Sequence, residues 1–445
     1  MSAIEIVIPA FIFALGACVG SFLNVVVYRM PLGQSLIHPP SACPKCGHRL
    51  AAYDNVPIFG WLWLGGKCRY CRNPISVRYP VVELVTALLF LGHYLMLFHY
   101  GWGPQGVTVV SDAFGPLRSD VTTLELYRDW PVLLMHLWLI AALLAASLID
   151  FEHYIIPLEL CWITMVMAVA VHALLLGPNH LGSLHYPPVV DAMTLGISVG
   201  LCISLLLLHG GLIRRSFADD EPLLEKDIAL LPESERPDPW PPWRIRQEMR
   251  LEMLFLLPPL TLAIAAMALV LTFPEVGDWW ATWSSRPLVS GALGSLCGAF
   301  VGAGIIWFFR IAGSYGFGRE AMGLGDVHLM LAIGAVLGAG GATVAFFIAP
   351  GFALLIALLS FFFRGRREIP YGPYLSMAAA AMLLFYPVIY HLQLAPASQG
   401  LVLVAEPLLQ ALTPTMAWIC IAILAAALLW AIYSSKANVQ KNDVT

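Results

Sequence analysis

The chain has 445 residues, of which 59% are AVILMFWYC and 12% are charged, with a formal net charge of -4. Soluble domains carry about 25% charged residues, so the composition excludes an ordinary soluble domain and places the chain in lipid. No nucleic-acid signature is present, and the arginines fit a membrane topology better than phosphate recognition.

A helix needs roughly 20 apolar residues to cross a hydrocarbon core. In chain order the apolar runs predict spans over 4–28, 80–99, 132–150, 156–176, 189–213, 252–273, 288–309, 326–341, 342–363, 371–391 and 414–434. The expected fold is therefore an all-α polytopic membrane protein of about 11 transmembrane helices. The first run carries Glu5, lacks a basic start and has its arginine after the run, so it reads as a retained helix and not a cleaved signal. Lys and Arg gather on the cytoplasmic side of short loops. With the N-terminus outside, the inside segments hold 21 of the 24 basic residues, leaving only Arg118, Arg128 and Arg286 outside. The expected organisation is a first helix (1–28), a cytoplasmic four-Cys domain (29–79), a helical block (80–213), a Pro-rich charged cytoplasmic linker (214–251), a second helical block (252–391) and a C-terminal helix and tail (392–445). The linker reads as a tether containing a short interfacial helix.

Two carboxylates stand out. Asp150 ends the third span, and Asp326 opens the eighth behind Gly323 and Gly325 in "EAMGLGDVHLM". Under this topology both reach the cytoplasmic edge. Ionisable residues at such positions tend to face a bundle interior or a wet cavity. Two neighbouring carboxylates share a proton, which gives one base for water and one acid for a carbonyl. The glycines permit positive φ and close approach of a substrate backbone. The bland alternative makes both aspartates boundary charges, with Asp326 the N-cap of its helix. Glu152 and His153 read as solvated interface residues.

In the first cytoplasmic segment Cys43, Cys46, Cys68 and Cys71 form C-x2-C-x21-C-x2-C, the spacing of two zinc knuckles. A cytoplasmic loop is reducing, which argues against disulfides. His48 is a competing ligand that reads better as a surface residue. Cys18, Cys161, Cys202, Cys297 and Cys420 lie in apolar runs and read as small core residues. The glycines at 291, 294, 298 and 302 suggest close helix packing. Glu83, at the start of the second span, reads equally as a first-turn acid or as part of a site; Asn24 and Arg29 share that ambiguity.

"GSFLNVVVYRMP", "CPKCGHRL", "NVPIFGWLWLGGKCRYC", "SVRYPVVELVTALLF", "SLIDFEHYIIP", "AMGLGDVHLM" and "IPYGPYLS" together resemble the type IV prepilin peptidases, bifunctional leader peptidases and N-methyltransferases of bacterial inner membranes. The resemblance implies that Asp150 and Asp326 form an aspartic catalytic pair. It also implies S-adenosylmethionine as methyl donor, and prepilins or pseudopilins as substrates. The expected setting is the inner membrane, with the active site facing the cytoplasm. The chain departs from the family at Leu158, where Asp usually follows the Pro, and at His328, where Lys is common. It also carries two extra spans between the aspartates. A presenilin-type protease would share the glycine-flanked Asp but has no reason to carry four cysteines. The rival from another class is a non-catalytic membrane scaffold or a transporter, and a transporter would show repeated halves with interrupted helices at the midplane.

Overall fold

The computed structural model describes residues 3–99, 126–176, 186–217, 241–362 and 370–384, which are helical apart from loops and two isolated β-bridges. In chain order the elements are α1 (Ala3–Arg29), α2 (Phe59–Trp63), α3 (Arg78–Tyr94), α4 (Leu126–His153), α5 (Leu158–Val171) and α6 (Pro188–His209). They continue with α7 (Pro242–Thr272), α8 (Pro274–Ser284), α9 (Pro287–Phe317), α10 (Leu324–Phe362) and α11 (Gly372–Leu384). Eight of these are long and apolar enough to cross a membrane: all except α2, α8 and α11. The predicted 371–391 span is described only as the short α11, and 414–434 lies outside the described residues. α7 begins ten residues earlier than the predicted 252, because Pro242 starts a helix that carries Arg244 to Arg250 as its first turns.

Two predicted spans, 326–341 and 342–363, fall within α10. Gly338 interrupts it with φ 74° and ψ 174°, a conformation essentially restricted to glycine. A Cβ placed on Gly302 of α9 would have Met330 O under 3.0 Å away and Ala342 Cβ at 3.4 Å. Met330 and Ala342 are therefore within about 6 Å of one another, where a straight helix would separate them by roughly 18 Å. The helix doubles back at Gly338, so both legs press on α9, and the two-span reading of this segment holds.

One large apolar core joins α1, α3, α4, α5, α9, α10 and α11, and a small cluster of Ala192, Trp280 and Leu293 lies under α6, α8 and α9. Backbone contact at glycines sets the pairings. Gly16 and Gly20 of α1 sit on Ala87 and Glu83 of α3, Gly200 of α6 on Pro259 of α7, and Gly291 and Gly298 of α9 on His172 and Gly334. Small residues let backbones approach where lipid offers no hydrophobic drive. Cys161 and Cys297 are buried as expected; Cys18 and Cys202 are instead exposed on the outer faces of their helices.

One end of the bundle gathers the chemistry. The C-termini of α1, α4 and α9 and the N-termini of α3, α10 and α11 meet there, together with the four-Cys segment. At the opposite end Trp280 Nε1 donates to Pro188 O at 2.7 Å, joining α8 to α6.

Candidate active site and four-Cys centre

Asp150 ends the apolar run of α4 and is 4% exposed. Tyr154, at φ 56°, donates its N–H to Asp150 O at 2.9 Å and stops the helix, a left-handed closure of the kind that ends many helices. Pro157 then caps α5, and the short connection folds Ile156 back over the helix end. Asp326, 7% exposed, lies in the first turn of α10. It is not the N-cap that the bland alternative made it. The helix opens at Leu324, and the Asp326 carboxylate reaches back to accept the Gly323 N–H, as the acidic member of a capping box does.

Ile156 ties the two carboxylate-bearing ends together. A Cβ on Gly372, at the start of α11, would meet Asp150 Oδ2 at 2.5 Å and Ile156 Cδ1 at 3.0 Å. A Cβ on Gly325 would meet Ile156 Cβ at 3.0 Å. Both glycines are thus places where a side chain would collide with the site, so the glycine requirement is one of space; neither has a positive φ. Tyr371 joins them, immediately ahead of Gly372, its ring centroid 6.5 Å from that of Tyr374. The "IPYGPYLS" motif contains both Gly372 and Tyr371, but reading it as a motif gave neither a role. His328 points elsewhere: its Nδ1 lies 2.9 Å from Leu324 O and its ring 5.9 Å from that of Trp162.

Charged groups ring this end. Arg78 of α3 pairs with Glu152 beside Asp150, so Glu152 is an anchored ion-pair partner and not a solvated residue. Beyond Asp326, Arg310 of α9 is 1% exposed. Its Nε and Nη2 engage Glu252 of α7 at 3.1 and 2.9 Å, and its Nη1 engages Glu320 and Met322 O. The sequence reading counted Arg310 as a loop charge and gave Glu252 no role. A basic residue set inside the run "WFFRIAG" was the available signal.

The four Sγ atoms of Cys43, Cys46, Cys68 and Cys71 lie within 4.8 Å of one another. Cys43 Sγ and Cys71 Sγ are 3.8 Å apart, about the ligand spacing that a tetrahedral ion with metal–sulfur bonds of about 2.3 Å imposes. The two halves repeat one design. Cys43 N–H donates to His48 O and Cys68 N–H to Asn73 O, both at 2.9 Å. Ala42 pairs with Arg49 and Lys67 with Pro74. After each second cysteine the chain takes a positive φ, at Gly47 (69°) and Arg72 (58°). Backbone amides of Cys46 and Lys45 draw the Cys43 thiol down to about 6, and those of Cys71 and Tyr70 lower Cys68. The amides thus favour a thiolate at the first cysteine of each pair, while burial and the neighbouring cysteines push Cys46 up to about 11, so it is the clustering of the four sulfurs that suits a metal. His48 stacks on Tyr70, with ring centroids 3.5 Å apart, and is not among the clustered ligands.

The segment is fastened to the membrane helices. Arg69 forks onto Asp54, its Nε 2.9 Å from Oδ2, and Ile58 N–H donates to Glu83 Oε2 at 2.6 Å. Glu83 lies beyond the first turn of α3, so its partner is this amide rather than the helix dipole. Asn24 Nδ2 donates to Tyr79 O at 3.3 Å, and Arg29 to Ser35 O and Pro39 O at 3.1 and 2.7 Å. All three are anchors.

Residues 14–97 match the bacterial Peptidase A24 N-terminal domain. That stretch runs from α1 through the four-Cys segment to α3. Several curated relatives are named prepilin leader peptidase/N-methyltransferase. The protein of Myxococcus xanthus (strain DK1622) is 42% identical over 161 residues, 36% of this chain and 39% of that protein. The Burkholderia pseudomallei (strain 1026b) protein is 36% identical over 182 residues, 34% of this chain and 49% of its own. The Pseudomonas aeruginosa protein is 34% identical over 179 residues, 34% of this chain and 51% of its own. The alignments thus span about half or less of these relatives. No solved structure matches.

Proposed function

We propose that the protein is a membrane aspartic endopeptidase that cuts the leader from prepilins or pilin-like proteins at the cytoplasmic membrane edge and N-methylates the new terminus. Asp150 and Asp326 are the catalytic pair. The observation that carries this reading is the convergence on Ile156: the Gly372–Asp150 contact on one side, the Gly325 turn bearing Asp326 on the other. The relatives' printed names supply the two activities.

In the proposed reaction the ionised aspartate takes a proton from water as the oxygen attacks the scissile carbonyl. The protonated aspartate donates to that carbonyl oxygen. Collapse of the tetrahedral intermediate breaks the C–N bond, the proton taken from water passes to the leaving amine, and a hydroxyl proton returns to the second aspartate as the carbonyl re-forms. A site at the helix ends suits a substrate whose apolar stem stays in lipid while its leader stays in water.

The four cysteines would hold structural zinc, since a closed set of four thiolates leaves no open position for chemistry. Metal binding then becomes folding energy for a segment too small for a core of its own. S-adenosylmethionine would supply the methyl group. The distribution of Lys and Arg supports an N-terminus outside and the paired aspartates at the cytoplasmic face, and the resemblance to the prepilin peptidases supports the bacterial inner membrane.

The test is cleavage of a prepilin-like substrate by membranes bearing wild type, Asp150→Asn or Asp326→Asn, at matched abundance. Loss of cleavage in both variants is the expected result, with the wild-type product heavier by one methyl group. Cleavage that survives either substitution removes the catalytic pair.

A further inference from the structure

Nothing in the sequence gave a role to the extra helical pair α6 and α7. The geometry points to one: we propose that α7 braces the turn that carries Asp326, with Glu252 and Arg310 as positioning residues. This inference rests on the proposed function and deepens it.

Glu252 is 3% exposed, and its carboxylate faces four donors. Two come from the Arg310 fork, one from Trp307 Nε1 at 2.8 Å and one from Ser216 Oγ at 3.1 Å. Arg310 is thereby fixed in one orientation, and its remaining Nη1 is aimed at Glu320 and at the carbonyl of Met322. Met322 immediately precedes Gly323, whose N–H the Asp326 carboxylate accepts. The chain of contacts therefore runs from α7 through Glu252, Arg310, Met322 and Gly323 to Asp326 without a break. Only a guanidinium, with five donors in a planar fork, can hold a carboxylate on one edge and a main-chain carbonyl on the other; an ammonium cannot span both. A buried ion pair is a weak source of stability, so a fully buried one joined to a glycine-rich turn is better explained by the geometry that it imposes. The turn has one further side-chain anchor, the Ala321 N–H donating to Ser314 Oγ at 2.9 Å, and Gly323 and Gly325 add no side chains of their own, so the Arg310 contact is what fixes the Met322 carbonyl.

The test compares full-length wild type, Asp326→Asn, Glu252→Gln, Arg310→Lys and the double variant in membranes, reading kcat and KM on a prepilin-like substrate. A second readout follows the rate at which trypsin cuts after the exposed Arg319. Either single substitution should lower kcat by about tenfold or more, as displaced catalytic groups do, while KM stays within about twofold. The double variant should be no worse than the poorer single, since both act through one chain of contacts. Trypsin should cut Glu252→Gln at least about fivefold faster as the turn loosens. Should Arg310→Lys fail to accumulate, Glu252→Gln carries the same test, because it preserves size and one acceptor. An unchanged kcat, losses that multiply in the double variant, or an unchanged trypsin rate would each overturn the brace. An inert wild type would instead overturn the proposed activity, and the trypsin rate would still decide the brace.

Discussion

Gly298 and Gly304 sit about one and two-thirds turns apart on α9 and should respond oppositely to alanine. A Cβ on Gly298 would lie under 3.0 Å from Gly334 O and at 2.8 Å from Gly338 Cα, both main-chain atoms that cannot rotate away. Relief requires the folded-back α10 to move off α9 by about 1 Å. Overpacking of this kind typically costs about 1–3 kcal/mol, and the immovable neighbours place Gly298→Ala at the upper end. Alanine regains about 1 kcal/mol of helix propensity over glycine, which leaves a net loss of about 2 kcal/mol. Around Gly304 there is nothing within 4 Å, so Gly304→Ala keeps only the propensity gain. The two variants should differ by about 3 kcal/mol when the full chain is unfolded in mixed micelles and followed by tryptophan fluorescence. Equal stabilities would show that α10 does not rest on α9 where this packing puts it.

Gly372→Ala should drive the Asp150 carboxylate aside and reduce cleavage by about tenfold or more at normal abundance, measured against the wild type on one substrate. Purified protein should contain one zinc per chain by elemental analysis. Cys43→Ser or Cys68→Ser should lose it and expose the loop to trypsin at Arg69. The Asp54–Arg69 fork gives a pH test. Arg69 holds the Asp54 carboxyl below the usual carboxylate range, so its contribution to loop stability is fully present above about 3.9 and fades as pH falls through the lower folded value. Wild type and Asp54→Asn should therefore differ in loop protection at neutral pH and converge in acid. A constant difference down to the lowest pH at which the protein survives would rule the fork out.

Composition and the span pattern made the helical membrane fold legible, because hydropathy reports directly on where a backbone can lie in lipid. The C-x2-C pairs were legible as well, since knuckle spacing is local in sequence, and so was the placing of Asp150 and Asp326 at helix ends on one side of the bundle. Contacts between distant segments were not. Glu83 stayed divided between a first-turn acid and part of a site because nothing in the sequence ties it to the Ile58 amide. Glu152 read as solvated because its partner Arg78 lies 74 residues away. Arg310 counted toward a topology rule that records charge and is blind to burial. Gly338 was the reverse case: the split into two spans was visible in length alone, while the single glycine conformation that permits the reversal was not.

The reversal at Gly338 leaves the leg that bears Asp326 with two tips, and residues from the region between α5 and α8 attend to both. At one tip Tyr186, just ahead of α6, hydrogen-bonds the main chain at Ala339; at the other, Glu252 of α7 reaches the Asp326 turn through Arg310. The region from Tyr186 to Thr272 therefore bears on both ends of that leg. Splicing α5 directly to α9 would remove both of these contacts at once and leave the leg to its packing on α9 and the core.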